Sequence, residues 1–281
     1  MQSSNNSIHS VALIPADGIG KETVTATVKV LMALEASLGS FKLEFTHYDW
    51  GTDRYKSQGA YMPENALALL KRHEAVLFGS VGSPDVPDHI SLWGLLLAIR
   101  GPLQLYANVR PTKIFSGIKS PLNGVGPGDL DWIIVRENSE EEYSGHSGRS
   151  DVGQPWETTE VAIFIRVGIE RINRFAFETA QKRPHKLLTV VTVTKSNSMK
   201  HGLVLWDQVA KEVAMDFPHV TWDKMLVDAM TVRMISNPKS LDVIVGTNLL
   251  MDILSDLAAA LSGSIGIAAS SKLDPSRKLH L

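Results

Sequence analysis

The sequence predicts an α/β fold, and three observations carry that prediction. The chain opens with a short apolar run, a glycine turn and a helix-like stretch, the usual start of an α/β layer structure. Short apolar runs of strand length then alternate with longer helical stretches. No repeat and no low-complexity linker breaks the alternation.

Val11 to Pro15 is the first strand, Ala16-Asp-Gly-Ile-Gly20 the turn, and Lys21 to Ser37 the first helix. Phe41 to Tyr48 alternates as a second strand. Pro63 to Arg72 reads as a helix with proline near its start. Ala75 to Phe78 is a buried strand ending in Gly79-Ser-Val-Gly-Ser-Pro84, a turn that lets backbone approach closely. Leu92 to Arg100 is helical, and Asp131 to Arg136 is a buried strand. Ser139 to Trp156 is polar, Gly-rich and without helical period, and reads as a protruding arm. Glu160 to Gln181 and Gly202 to Asp216 are helices, Leu187 to Thr194 and Leu241 to Thr247 strands, and Asn248 to Leu261 a helix. Asp252 to Ala269 is strongly apolar and calls for more chain than the polar Ser270 to Leu281 to cover it.

Hydrophobic residues make up 44% of the 281, enough for one large core or two modest ones. The net charge is −2 with signs interspersed, so no basic stripe marks a nucleic-acid partner. There are no cysteines, which excludes disulfides and thiolate sites and suits a cytoplasmic setting. MQSSNNSIHS lacks the features of a secretory signal and reads as a frayed tail; no apolar run is long enough to span a bilayer; SRKLHL carries no targeting signal.

Several residues could do chemistry. Asp252 and Asp256 fall on one helix face, where two like charges repel. Solvent answers that repulsion in most helices; a hard divalent cation bound through oxygens is the other answer. Asp228 follows Met225-Leu-Val227 and would end a strand, as a turn former or N-cap or pointing at a site. Arg100, Arg110 and Arg136 lie in or beside apolar segments, where each either pairs internally or grips a carboxylate by parallel hydrogen bonds. Tyr143 lies in a polar turn, the place of a surface or arm residue. Lys195 follows a buried strand, where it snorkels or, if desolvated, acts as a base. Gly18 and Gly20 form no GxGxxG, and the 9 histidines show no metal-ligand spacing.

The order of these pieces is more specific than any one of them. Asp17-Gly-Ile-Gly20, Arg100, Tyr106-Ala-Asn-Val-Arg-Pro111, Val135-Arg-Glu-Asn-Ser139, Tyr143-Ser-Gly145, Thr194-Lys-Ser-Asn197, Val227-Asp-Ala-Met230 and Asn248 through Asp256 follow one another. This succession resembles the metal-dependent β-decarboxylating dehydrogenases, from about Ile8 to Arg277. His89-Ile-Ser-Leu-Trp-Gly94, Arg136-Glu-Asn-Ser-Glu140 and Trp222-Asp-Lys-Met-Leu-Val-Asp228 are closest to the tartrate dehydrogenase/decarboxylase and D-malate branch.

The resemblance implies an isopropylmalate dehydrogenase-like two-domain fold. The large domain would take residues 1–104 and 263–281, and the middle domain residues 105–262, with a dimer arm at about 139–160. It implies that Arg100, Arg110 and Arg136 clamp substrate carboxylates, and that Asp228, Asp252 and Asp256 hold Mg²⁺ or Mn²⁺. Lys195 would help remove the hydroxyl proton as hydride leaves for NAD⁺, and Tyr143 would deliver a proton to carbon after loss of CO₂. Lys195 and Asp228 would reach into the site of a second copy, making a homodimer. Departures are Lys21 for a proline, Gly101-Pro102 after Arg100, Glu141 for a glycine, and Leu250-Met251 before Asp252. Relatives continue past Arg277 into a Glu-Pro-Val-His-Gly-Ser-Ala segment that binds the adenosine half of NAD⁺. The large domain is therefore expected to be C-terminally incomplete, and the cofactor-binding residues stay unassigned. The expected activity is NAD- and metal-dependent oxidation of a small 2-hydroxy acid such as tartrate or D-malate, with or without decarboxylation. The alternatives are a metal-dependent non-redox enzyme or a non-catalytic dimerising subunit, with a specialised biosynthetic pathway as one setting.

Overall fold

A computed structural model describes residues 7–150, 152–153, 158–183 and 187–275. The chain forms two compact units, divided after Leu105, with the first resumed at Leu273.

The first unit begins with β1 (Ser7–Ala16), α1 (Gly20–Leu38) and β2 (Phe41–His47). Then come α2 (Thr52–Gln58), α3 (Ala66–Leu70) and β3 (Ala75–Ser80). A last helical stretch runs through α4 (Asp88–Ser91), a π-helical turn (Leu92–Leu97) and α5 (Ala98–Arg100). Its sheet is parallel in the order β2-β1-β3. Ile14, Trp50, Tyr61, Leu70, Leu95 and Ile99 centre its core. The glycine turn is held by Asp17, whose carboxylate accepts Thr52 N–H at 2.7 Å, Thr52 Oγ1 at 2.8 Å and Gly82 N–H at 2.9 Å. Close approach also dictates Gly20 and Gly79: a Cβ would lie 2.2 Å and 2.1 Å, respectively, from the Pro15 carbonyl.

The second unit carries β4 (Ala107–Lys113), β5 (Asp131–Glu137), a 3₁₀ turn (Glu142–Ser144), β6 (Ser147–Arg149) and β7 (Thr158–Glu160). It continues through α6 (Arg166–Gln181), β8 (Thr189–Thr194), α7 (Gly202–Met215), β9 (Thr221–Leu226) and α8 (Val227–Ser236). A short 3₁₀ turn (Pro238–Ser240) leads to β10 (Val243–Gly246) and α9 (Asn248–Leu261), and β11 (Ser271–Leu273) follows. The sheet order is β11-β4-β5-β10-β8-β9. β4 is antiparallel to β5, while β5, β10, β8 and β9 run parallel. Both faces are covered, as parallel strands require. Ile134, Val191, Val193 and Ile244 meet Met230, Met234, Leu254 and Ala258 of α8 and α9. The opposite face takes α6 and α7.

Several expectations need correction. Ser7 to Ser10 belong to β1 and are not a frayed tail; residues 1–6 lie outside the described residues. Glu160 ends a strand, and the helix starts at Arg166. The β-branched Thr158-Thr159 segment pairs instead with Ser147 to Arg149 as a small hairpin. The helix expected from Pro63 to Arg72 is confined to Ala66–Leu70. The apolar C-terminal run divides in two: α9 packs into the core of its own unit, while Ile265 and Ile267 beyond it are exposed.

Candidate active site

Alternation on two strands and periodicity on one helix build the site. On β5, Trp132, Ile134 and Arg136 share a face, the first two in the core under α9. On antiparallel β4, Asn108 stands opposite Arg136 and Arg110 opposite Ile134. On α9, Asn248, Asp252, Ser255 and Asp256 recur at helical spacing. Met251, Leu254 and Ala258 of the same helix enter the core.

Arg136 is only 3% exposed. Its Nε and Nη2 donate to Asn248 Oδ1 at 2.9 and 2.7 Å, and its Nη1 donates to the Asp252 carboxylate. Burial draws the guanidinium pKa down from its ordinary value, and the Asp252 charge opposes that pull. Arg110 Nη1 donates to Ser255 Oγ at 2.6 Å and Asp256 Oδ1 at 3.3 Å, and Nη2 donates to Asp252 Oδ1 at 3.4 Å. Its Nε is oriented by Asn108 Oδ1 at 3.1 Å. The Tyr143 hydroxyl donates to Asp252 Oδ2 at 3.0 Å, and Arg136 lies 5.4 Å over the Tyr143 ring centre. Asp252 thus gathers two arginines and a phenol while remaining about a third exposed. Tyr143 is part of this cluster and not simply a residue of a surface arm.

Lys195 and Asp228 form a separate pair in the same unit, 2.6 Å apart. Asp228 does not end a strand; it lies in the first turn of α8, where the helix dipole favours an acid. The Lys195 ammonium holds its carboxyl below the ordinary value. Lys195 is about a third exposed and ion-paired, rather than enclosed at the mouth of β8. Arg100 belongs to the first unit, buried at the end of α5.

The sequence matches the isocitrate/isopropylmalate dehydrogenase family over residues 10–281. A probable tartrate dehydrogenase/decarboxylase TtuC of Agrobacterium vitis is 60% identical over 271 residues, covering 96% of this chain and 74% of that protein. The decarboxylating D-malate dehydrogenase of Escherichia coli is 44% identical over 270 residues, 95% of this chain and 74% of that protein. The chain belongs to the isocitrate/isopropylmalate dehydrogenase family. The crystal structure of isocitrate dehydrogenase from Methylococcus capsulatus agrees in fold, with a TM-score of 0.85 at 31% identity over 97% of this chain and 76% of that one.

Membership of this family implies a nucleotide cofactor and a divalent metal in general. Asp252 and Asp256 offer the hard oxygens such a cation takes, one helical turn apart. Among the described residues of one chain, no third acid or histidine joins them in a metal-binding group. The donor type therefore fits, and further ligands must come from outside this cluster. Asn248, Asn108 and Ser255 had no role assigned from sequence. Their signal was available as the Asn248-Asp252-Ser255-Asp256 stripe and as the i, i+2 pair Asn108 and Arg110. Among the described residues, no helix is long and apolar enough to cross a membrane.

Proposed function

We propose that this chain oxidises a small 2-hydroxy dicarboxylic acid, tartrate or D-malate in type, with NAD⁺ and Mg²⁺ or Mn²⁺, and with decarboxylation. The observation that carries this reading is the convergence of Arg110, Arg136 and Tyr143 on Asp252. Two arginines beside two carboxylates suit an anionic acid bound together with a cation. In this reading Arg110 and Arg136 turn from Asp252 and Asp256 to the substrate carboxylates, with Arg100 as the third arginine of the family pattern. Asp252 and Asp256, with Asp228 of a second copy in a homodimer, hold the cation. A cation held there would supply Lewis acidity at the substrate hydroxyl. Lys195, which would come from the second copy with Asp228, would act as the base for the substrate hydroxyl in its neutral amine form, with the nicotinamide supplying the hydride acceptor. Tyr143 gives a proton to the carbon that has lost CO₂, as general acid. Asn248 keeps the Arg136 fork aimed.

The test uses the purified chain, first shown to be a folded dimer. Binding of Mn²⁺ and NAD⁺ is measured by calorimetry, and NADH formation is followed with a panel of tartrates and malates. NADH formed only when metal, NAD⁺ and one acid are all present supports the reading. A folded dimer that binds Mn²⁺ but neither binds nor reduces NAD⁺ overturns it, leaving an acid and metal site without redox chemistry.

A further inference from the structure

Glu141 has a backbone that glycine would adopt more easily. Its φ is 60° and its ψ −143°, a region that L side chains rarely enter and that costs about 1–3 kcal/mol. Its side chain is nevertheless placed with purpose. The residue is 2% exposed, and its carboxylate accepts the N–H of Leu249 in the first turn of α9. Amides in that turn have no partner within the helix, and the dipole there favours a negative charge. The preceding residue is tied to the same helix end, since Asn248 Nδ2 donates to the Glu140 carbonyl at 3.2 Å. The backbone of Glu141 is fixed as well. Its N–H donates to the Ile163 carbonyl at 2.9 Å, and its own carbonyl accepts Ser144 N–H at 3.1 Å, closing the turn that carries Tyr143.

Two parts of the candidate site are therefore joined at this residue. One is the 3₁₀ turn with Tyr143, and the other is the first turn of α9 at Leu249, three residues before Asp252. The unusual backbone directs the carboxylate to α9 while the chain continues into the turn. We infer that Glu141 is a positioning residue that holds the Tyr143 hydroxyl on Asp252. The inference rests on the roles proposed above for Tyr143 and Asp252, but its structural part is testable without turnover.

The probe is the tyrosine ring-carbon NMR resonance in protein labelled at its 5 tyrosines, with the Tyr143 signal assigned through Tyr143→Phe. Asp252→Asn supplies the reference shift for a weakened hydrogen bond. Glu141→Gly removes the carboxylate and relieves the backbone, and is expected to move the Tyr143 resonance toward the Asp252→Asn position. Glu141→Asn, which also tolerates positive φ but is one methylene too short for Leu249, should do the same and serves if the glycine variant does not fold. Glu141→Gln keeps length and an acceptor oxygen, and is expected to return the wild-type resonance. A Tyr143 signal unmoved in both the glycine and asparagine variants, with the Asp252→Asn shift observed, overturns the inference and leaves Glu141 as a helix cap alone. In an active enzyme the same variants should lower kcat by about tenfold with KM for the acid nearly unchanged, and Glu141→Gln should rescue it. Absence of turnover in the wild-type chain would count against the proposed function and leave the NMR result standing.

Discussion

The Tyr143 hydroxyl donates to Asp252 Oδ2 at 3.0 Å, from a 3₁₀ turn to a helix 109 residues away in sequence. A phenol so held has its proton aimed into the carboxylate cluster. Phenylalanine keeps the ring against Arg136 and deletes only the hydroxyl that carries the proton. Tyr143→Phe should therefore leave NAD⁺ reduction in a first turnover intact, while steady release of the decarboxylated product falls by about 10²- to 10⁴-fold, the usual range for a lost general acid. Rapid-mixing absorbance against steady-state product assay separates the two steps. Equal loss in both would remove Tyr143 from the protonation step.

Arg136 is the buried centre of the cluster. Replacing it with methionine leaves the Asp252 carboxylate with only Arg110 and Tyr143, and Asn248 Oδ1 without its two donors. A loss of roughly 2–4 kcal/mol of stability is expected, below the range for a fully buried pair because Asp252 keeps contact with water. Lysine preserves the charge but not the planar fork, so Arg136→Lys should regain only part of it. Denaturant unfolding checks both. A methionine variant as stable as wild type would mean that the network contributes nothing net.

Legibility of these residues varied for physical reasons. Asp252 and Asp256 were visible because a helix period fixes which side chains share a face. Strands β5, β8 and β10 were visible because they are buried on both faces and read as apolar runs. β4 was hidden by Pro111, which weakens a strand pattern, and α8 by a mixed polar sequence following β9 without a break. Glu140 and Glu141 misled most. An acidic run reads as solvated, yet they are 4% and 2% exposed. Each carboxylate caps a helix far along the chain, Ile165 N–H at the start of α6 for Glu140 and Leu249 N–H on α9 for Glu141. No local pattern announces such partners. The alternation expected for an α/β chain was correct because it depends on layer packing, which sequence does encode.

The separation of Asp228 from Asp252 and Asp256 gives the proposed dimer a direct test. If each cation draws on two copies, Asp228→Asn and Asp252→Asn each abolish activity alone. Mixed and re-equilibrated, their heterodimers contain one intact site and one doubly damaged site. About a quarter of wild-type activity should then return, since half the dimers are mixed and each has one working site. Asp228 is exposed, so its variant should melt close to wild type. No recovery on mixing, with subunit exchange shown independently, would exclude a shared site.

Glu140 and Glu141 also make stability depend on pH, in a direction opposite to that of a salt-bridged carboxylate. Burial raises both from 4.5 to about 7. Glu137 adds repulsion to each and Glu142 to Glu141, while Arg171 and the capping amides of Ile165 and Leu249 pull the other way. Between about pH 4.5 and pH 7 the folded chain holds protons here that the unfolded chain has lost. Unfolding then releases protons, so this contribution to stability declines as pH rises through that window and is flat above it. The slope is at most about 1.4 kcal/mol per pH unit for each group, reduced where the two titrate together. Denaturant unfolding from about pH 5 to about pH 8 should show the decline, and Glu140→Gln with Glu141→Gln should flatten it. A double variant with the wild-type slope would assign the pH dependence to other groups and show that both carboxylates stay ionised in the fold.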